Sequence, residues 1–128
     1  MRKLVYRKSR KIRGTEPERH KLHIAKGDTV RVIRGDDRGK EGKVLHVHPK
    51  VHRVTVEGVN VVKKHQRATT PETESGIIEF PAPISAANVM LLDPKSGEPT
   101  RVRRQRDKDG TIERIAVKSG QPIPRART

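Results

Sequence analysis

Few residues in this 128-residue chain have the type and spacing to do covalent chemistry. Gly39-Lys40-Glu41 sets a glycine beside a lysine, but a nucleotide-triphosphate loop needs a partner glycine upstream, separated by four residues, and a hydroxyl after the lysine. The sequence has neither, and no helix is expected to follow. Asp36 and Asp37 suggest a metal-dependent catalyst, yet adjacent carboxylates in a turn beside Arg34 and Arg38 are explained by a capped, salt-bridged loop. His46 and His48 alternate along an extended segment, with His52 close by, and so put two imidazoles on one face. A closed metal site wants Cys or carboxylate partners at recognisable spacing, and the chain has no cysteine. No serine or histidine stands in a nucleophile motif. The expectation is a binding protein with no enzymatic activity, no metal and no cofactor.

What the sequence does supply is cationic charge. Thirty Lys and Arg oppose fifteen Asp and Glu, for a net charge of +15 and a pI near 11.0. Such an excess repels itself and calls for a polyanionic partner, most commonly nucleic acid. An anionic membrane is the competing partner, but no apolar run of roughly 18 residues and no amphipathic helix with an aromatic or leucine face is legible, so no membrane association is expected. The missing cysteine excludes disulfides and fits a reducing compartment. The start, MRKLVYRKSRKIRG, lacks the apolar stretch of a secretory signal. A cytoplasmic protein is expected, with an Arg-rich organellar presequence as the alternative.

The charge is unevenly placed: residues 1–26 carry +8, 27–68 carry +5, 69–98 carry −4 and 99–128 carry +6. The acidic third segment is the poorest candidate for a phosphate backbone. Residues 1–20 have no apolar periodicity, and Arg10, Lys11 and Arg13 belong to a basic arm expected to order on a polyanion; a solvated tail without a specific task is the other reading. Residues 121–128, with Pro122, Pro124, Arg125 and Arg127, form a second basic tail.

These cations need a scaffold, and the pattern between the tails has a period of two, the mark of half-buried strands. Strands are expected at Thr29 to Val32, Lys43 to His48 (ended by Pro49), and Arg53 to Glu57. Gly58 breaks or bulges the chain before an extended run from Val59 to Arg67. Gly76 to Phe80 and Asn88 to Leu92 follow. Thr100 to Arg106 and Thr111 to Lys118 make a hairpin closed at Asp107-Lys108-Asp109-Gly110. Only 30% of residues are apolar and 2% aromatic, so the core is small. Short strands between Gly and Pro turns indicate an all-β class, as a small antiparallel barrel without open edges.

Residues 26 to 48, KGDTVRVIRGDDRGKEGKVLHVH, read as strand, glycine-rich basic turn, strand, and resemble the KOW motif with its hallmark glycine at Gly42. Gly35, Gly39 and Gly42 tolerate positive φ and let a phosphate approach the backbone closely, while Arg38, Lys40 and Lys43 bring charge. With VEGVNVVKKHQR at 56 to 67, then GII and SAANVMLLDPKSGEPTRV, residues 21 to 118 resemble the bacterial family of large-subunit ribosomal protein twenty-four. The long basic start departs from that pattern. The resemblance implies an SH3-like barrel over 21–68, a C-terminal strand and hairpin region over 69–120, and extended basic tails. It also implies binding to the 5′ domain of large-subunit rRNA, a part in starting subunit assembly, a place near the polypeptide exit tunnel, and neighbouring ribosomal proteins as partners. No homo-oligomer is expected.

The residues themselves support grip on RNA backbone, reading shape more than sequence, and the scarcity of aromatics argues against serial base stacking on single strands. The expected contacts are Arg38, Gly39, Lys40, Gly42, Lys43, Lys63, Lys64, His65 and Arg67, with Arg10, Lys11, Arg13, Arg101 and Arg103 as auxiliary grip. Lys63, His65 and Arg67 share one face of an extended segment and Lys64 the other, so either row serves; an edge strand protected by charge is the structural alternative. Asn60 is expected to satisfy a turn or to reach a ribose hydroxyl. The three histidines near Pro49 are expected to meet RNA or solvent at a hairpin tip. A transcription elongation factor carrying the same motif is a rival, but only about twenty-five residues precede the motif, too few for the larger domain such factors place there. A nonspecific nucleoid protein is a second rival.

Overall fold

A computed structural model describes residues 21–72 and 75–125. Its elements are nine strands and one 3-10 turn, which makes the described chain all-β. β1 is Thr29–Val32, β2 Glu41–His48, β3 Arg53–Val56, β4 Val61–Gln66, β5 Gly76–Pro81, β6 Ile84–Ser85, β7 Val89–Leu91, β8 Val102–Arg106 and β9 Ile112–Ala116.

Five strands form the main sheet in the order β6-β3-β2-β1-β7. The segment Ile84 to Leu91 closes it: β6 pairs with β3 at one edge, the turn Ala86–Asn88 bends the chain, and β7 pairs with β1 at the other edge. Such closure removes free edges and gives the SH3-like barrel. The barrel expected over 21–68 is therefore completed by strands that lie beyond residue 68.

Period two explains the interior. Val30 and Val32 of β1, Val44 of β2, Val54 and Val56 of β3, and Val89 and Leu91 of β7 all point inward, and Ile24, Val59 and Ala86 complete the core. All are aliphatic. Burying a side chain of this kind contributes about 1.5–3 kcal/mol, so this handful of residues carries the barrel. A register shift between Val44 and His46 bulges β2 at Leu45. Sequence reasoning put the break at Gly58 instead; that residue does leave the sheet, with φ +71°, just after β3 ends.

Two separate ribbons flank the barrel. β4 and β5 pair from Val61↔Pro81 to Gln66↔Gly76. β8 and β9 pair from Val102↔Ala116 to Arg106↔Ile112, around the Asp107 to Gly110 turn expected from the sequence. The second ribbon is pinned at two points. Arg114 reaches the buried Asp28 ahead of β1, and the Ser119 hydroxyl donates to Asp93 after β7 at 2.8 Å. Asp93 also accepts from the Lys95 amide at 2.9 Å. That amide, then the Ser119 hydroxyl and the Ser96 contacts, hold its carboxyl below the usual range despite burial.

Candidate nucleic-acid interface

The connection from β1 to β2 is a tight, self-bonded loop. Gly39 donates to the Val32 carbonyl at 2.8 Å, Val32 to Lys40 at 2.9 Å, and Arg38 to Gly35 at 3.2 Å. Gly35 and Gly39 have φ of +105° and +90°, a region costly for side chains with a Cβ. Gly42 is a glycine for another reason. A Cβ there would stand 2.5 Å from the Glu57 carbonyl oxygen and 2.8 Å from Val56 Cγ1. The missing side chain lets β3 close onto β2; no positive φ is involved.

Asp37 is the hub of the loop. Its Oδ1 lies 2.6 Å from Lys40 Nζ, and its Oδ2 accepts from the Asn60 amide at 2.7 Å. The Lys40 bond, then the Asn60 amide, hold the carboxyl below the usual range. The expected pairing of these carboxylates with Arg34 and Arg38 is thus corrected: Lys40, three residues on, folds back over Asp37 within reach of its ammonium. Asn60, at φ +53°, is a turn residue whose backbone amide ties the loop to the start of β4.

Sequence reasoning grouped the cations; the structure separates them. Lys40 is locally neutralised by Asp37, and Lys63 lies 3.6 Å from Glu79, directly across the ribbon. Arg38, Lys43, Lys64, Arg67, Arg101 and Arg103 are exposed and form no ion pair among the described residues. Lys43 sits on β2 opposite Thr29. Lys64 shares a ribbon face with Val62, Ile78 and Phe80, while Lys63 and His65 occupy the other with Glu79 and Ile77. Arg67 lies past the end of β4, so the row of Lys63, His65 and Arg67 is not one strand face throughout. Arg103 stands on β8, with Arg101 just before that strand, on a different sheet from β4/β5. Arg104 and Arg106, in the same run, were not singled out from the sequence, although the density of arginines from 101 to 106 was the available signal. Arg10, Lys11 and Arg13 lie outside the described residues.

His46 and His48 do share a face, with ring centroids 6.0 Å apart, and His48 Nε2 is 3.2 Å from the Thr55 hydroxyl. Among the described residues no group of three or more His, Asp or Glu is placed to hold a metal ion. His23 lies among Arg104, Arg114, Asp28 and His52; partial burial, then the two arginines, push its pKa down.

A closed barrel with a glycine-turned basic loop defines a KOW-type β-barrel protein. The KOW motif model matches residues 26–57, and the model of "Large ribosomal subunit protein uL24, C-terminal domain" matches residues 59–123. The chain is 57% identical over 102 residues to large ribosomal subunit protein uL24 of Staphylococcus epidermidis, covering 80% of this chain and 96% of that protein. The uL24 proteins of Staphylococcus saprophyticus and Staphylococcus aureus are 56% identical with the same coverage. The chain belongs to the large ribosomal subunit protein uL24 family. Its members are structural ribosomal proteins rather than enzymes, and as bacterial ribosomal proteins they are cytoplasmic.

Proposed function

We propose that this protein binds folded large-subunit rRNA in its 5′ domain, helps to start assembly of the subunit, and lies near the polypeptide exit tunnel among neighbouring ribosomal proteins. The observation that carries the reading is the set of exposed cations without ion pairs among the described residues: Lys43, Lys64 and Arg103 on strands, and Arg38, Arg67 and Arg101 on the loop or chain beside them, in a chain with net charge +15. Cations on a rigid frame match fixed phosphate positions and release counterions on binding, which makes affinity strongly salt-dependent. Their spread over three sheets suits a folded RNA, whose phosphates approach from several directions, better than a single extended strand. The same charge opposes self-association. The basic arm, with Arg10, Lys11 and Arg13, adds grip.

Competition at fixed salt tests this. Large-subunit rRNA transcript should displace labelled rRNA from the protein at far lower concentration than duplex DNA of equal phosphate content. Equal competition by the two would instead support a nonspecific basic protein.

A further inference from the structure

Beside the β1–β2 loop is a cleft of about 130 Å³, lined by Val32, Val59 and Ile84 and by the polar Arg34, Asn60 and Asn88. Of its lining residues Val32 and Val59 are buried, whereas Arg34 is exposed. A cavity of roughly 150 Å³ takes one benzene-sized ring, so this open cleft admits one edge of a single base and not a peptide segment or a stack of bases.

We propose that the cleft receives a single unstacked adenine of the bound RNA, read by the amides of Asn60 and Asn88. This deepens the RNA-binding reading and rests on it. The Asn88 side chain is half-buried and has no hydrogen-bond partner among the described residues. The Asn60 amide nitrogen only reaches the Ala82 and Pro83 carbonyls at 3.5 Å each, the outer limit of a hydrogen bond, and leaves its oxygen unused. Its backbone is fixed, because the N–H is held by Asp37 at 2.7 Å. A carboxamide offers one donor edge and one acceptor, the complement of adenine N7 and its N6 amino group.

The charges around the cleft favour a base over a phosphate. Asp36 and Asp37 also line it, and Asp37 is held ionised by Lys40 and Asn60. Asp36, which forms no ion pair among the described residues, repels phosphate oxygens, and a carboxylate accepts from an exocyclic amine. Arg34 forms no ion pair among the described residues, which leaves its guanidinium plane available to stack on a base. A chain with one Phe, one Tyr and no Trp has few other means of holding a base.

The test uses the whole protein and large-subunit rRNA transcripts doped with 7-deazaadenosine, which lacks the N7 acceptor. Bound and unbound fractions are mapped for positions where the analogue is excluded. The wild type should show one strong exclusion that vanishes in Asn88→Ala and in Asn60→Gly, the latter keeping the positive-φ backbone and the N–H to Asp37. Both variants should bind unmodified transcript roughly tenfold more weakly with an unchanged salt slope, and Arg34→Ala, on the exposed rim, should weaken binding without risk to the core. Tight wild-type binding with no exclusion, or an exclusion that persists in both asparagine variants, overturns the adenine cleft while leaving backbone binding intact. Failure of the wild type to prefer rRNA over duplex DNA overturns both.

Discussion

Arg114 and Asp28, 86 residues apart, meet in a two-point ion pair with Nη1 2.5 Å from Oδ2 and Nη2 3.0 Å from Oδ1. Both side chains are only 3% exposed. The guanidinium also donates to the His23 and Pro124 carbonyls at 3.0 Å each, and Asp28 accepts from the Ala25 amide. One contact thus ties the β8/β9 ribbon, the entry to β1 and the C-terminal segment together. Removing one partner leaves a buried charge unpaired and costs about 3–5 kcal/mol, a large part of the stability of a small domain. Asp28→Ala should therefore move the urea midpoint sharply downward, and a loss below about 1 kcal/mol would show that the pair does not clamp the ribbon.

Gly42→Ala and Gly39→Ala should fail for different reasons. The added methyl at 42 meets the Glu57 carbonyl, a backbone atom that cannot rotate away, so β2 and β3 must part; overpacking of this sort costs about 1–3 kcal/mol. At 39 there is open space, and only the positive φ opposes the change. Chemical shifts of β3 amides should move in the first variant and stay in place in the second.

The paired and unpaired lysines should separate in a salt titration. Lys43→Gln removes an exposed cation with no ion pair among the described residues, and should flatten the log-affinity against log-salt slope by about one unit with little sequence dependence. Lys40→Gln removes a charge already neutralised by Asp37, so its slope should change much less. Equal effects would mean that the Lys40–Asp37 pair opens on RNA.

Acid should destabilise the fold in two stages. His23 has a lowered pKa, so the unfolded chain binds its proton first, and stability falls as pH drops below about 6.5 toward the lower folded value. Asp37 and Asp93 are likewise lowered, and what they contribute is present above about pH 4 and lost as pH falls through their folded values. Asp37→Asn, which keeps an acceptor for the Asn60 amide, should flatten the second stage of a melting-temperature curve and leave the first unchanged. A steeper second stage would contradict the assignment.

Local patterns in the sequence carried the local structure. Alternating valines in β1 and β3, and the Asp107 to Gly110 turn, follow from side-chain period and turn chemistry, so those elements were legible. β6 was not: Ile84–Ser85 is two residues long, too short for any period to register. Val59 opens the extended run expected to reach Arg67, yet it is 1% exposed in the core, because the left-handed Gly58 and Asn60 on either side turn the chain inward there. The candidate interface was legible as cationic residue types but not as free charge. Nothing in the order of residues shows that Lys63 stands across from Glu79 or that Arg114 serves the interior, since each depends on which strands become neighbours, and the Lys40–Asp37 pair depends on how the β1–β2 loop turns.

The absence of cysteine permits a direct test of whether the basic loop and β4 face RNA. Single cysteines placed at Arg38, Lys64 and, as a control in the acidic segment, Glu72 can carry an iron chelate that cleaves nearby ribose in a complex with large-subunit rRNA. Strong cuts from positions 38 and 64, confined to a few neighbouring stretches of the rRNA 5′ domain and weak or absent from 72, are the predicted result. Cleavage from 38 and 64 no stronger than from 72 would contradict RNA docking through this surface.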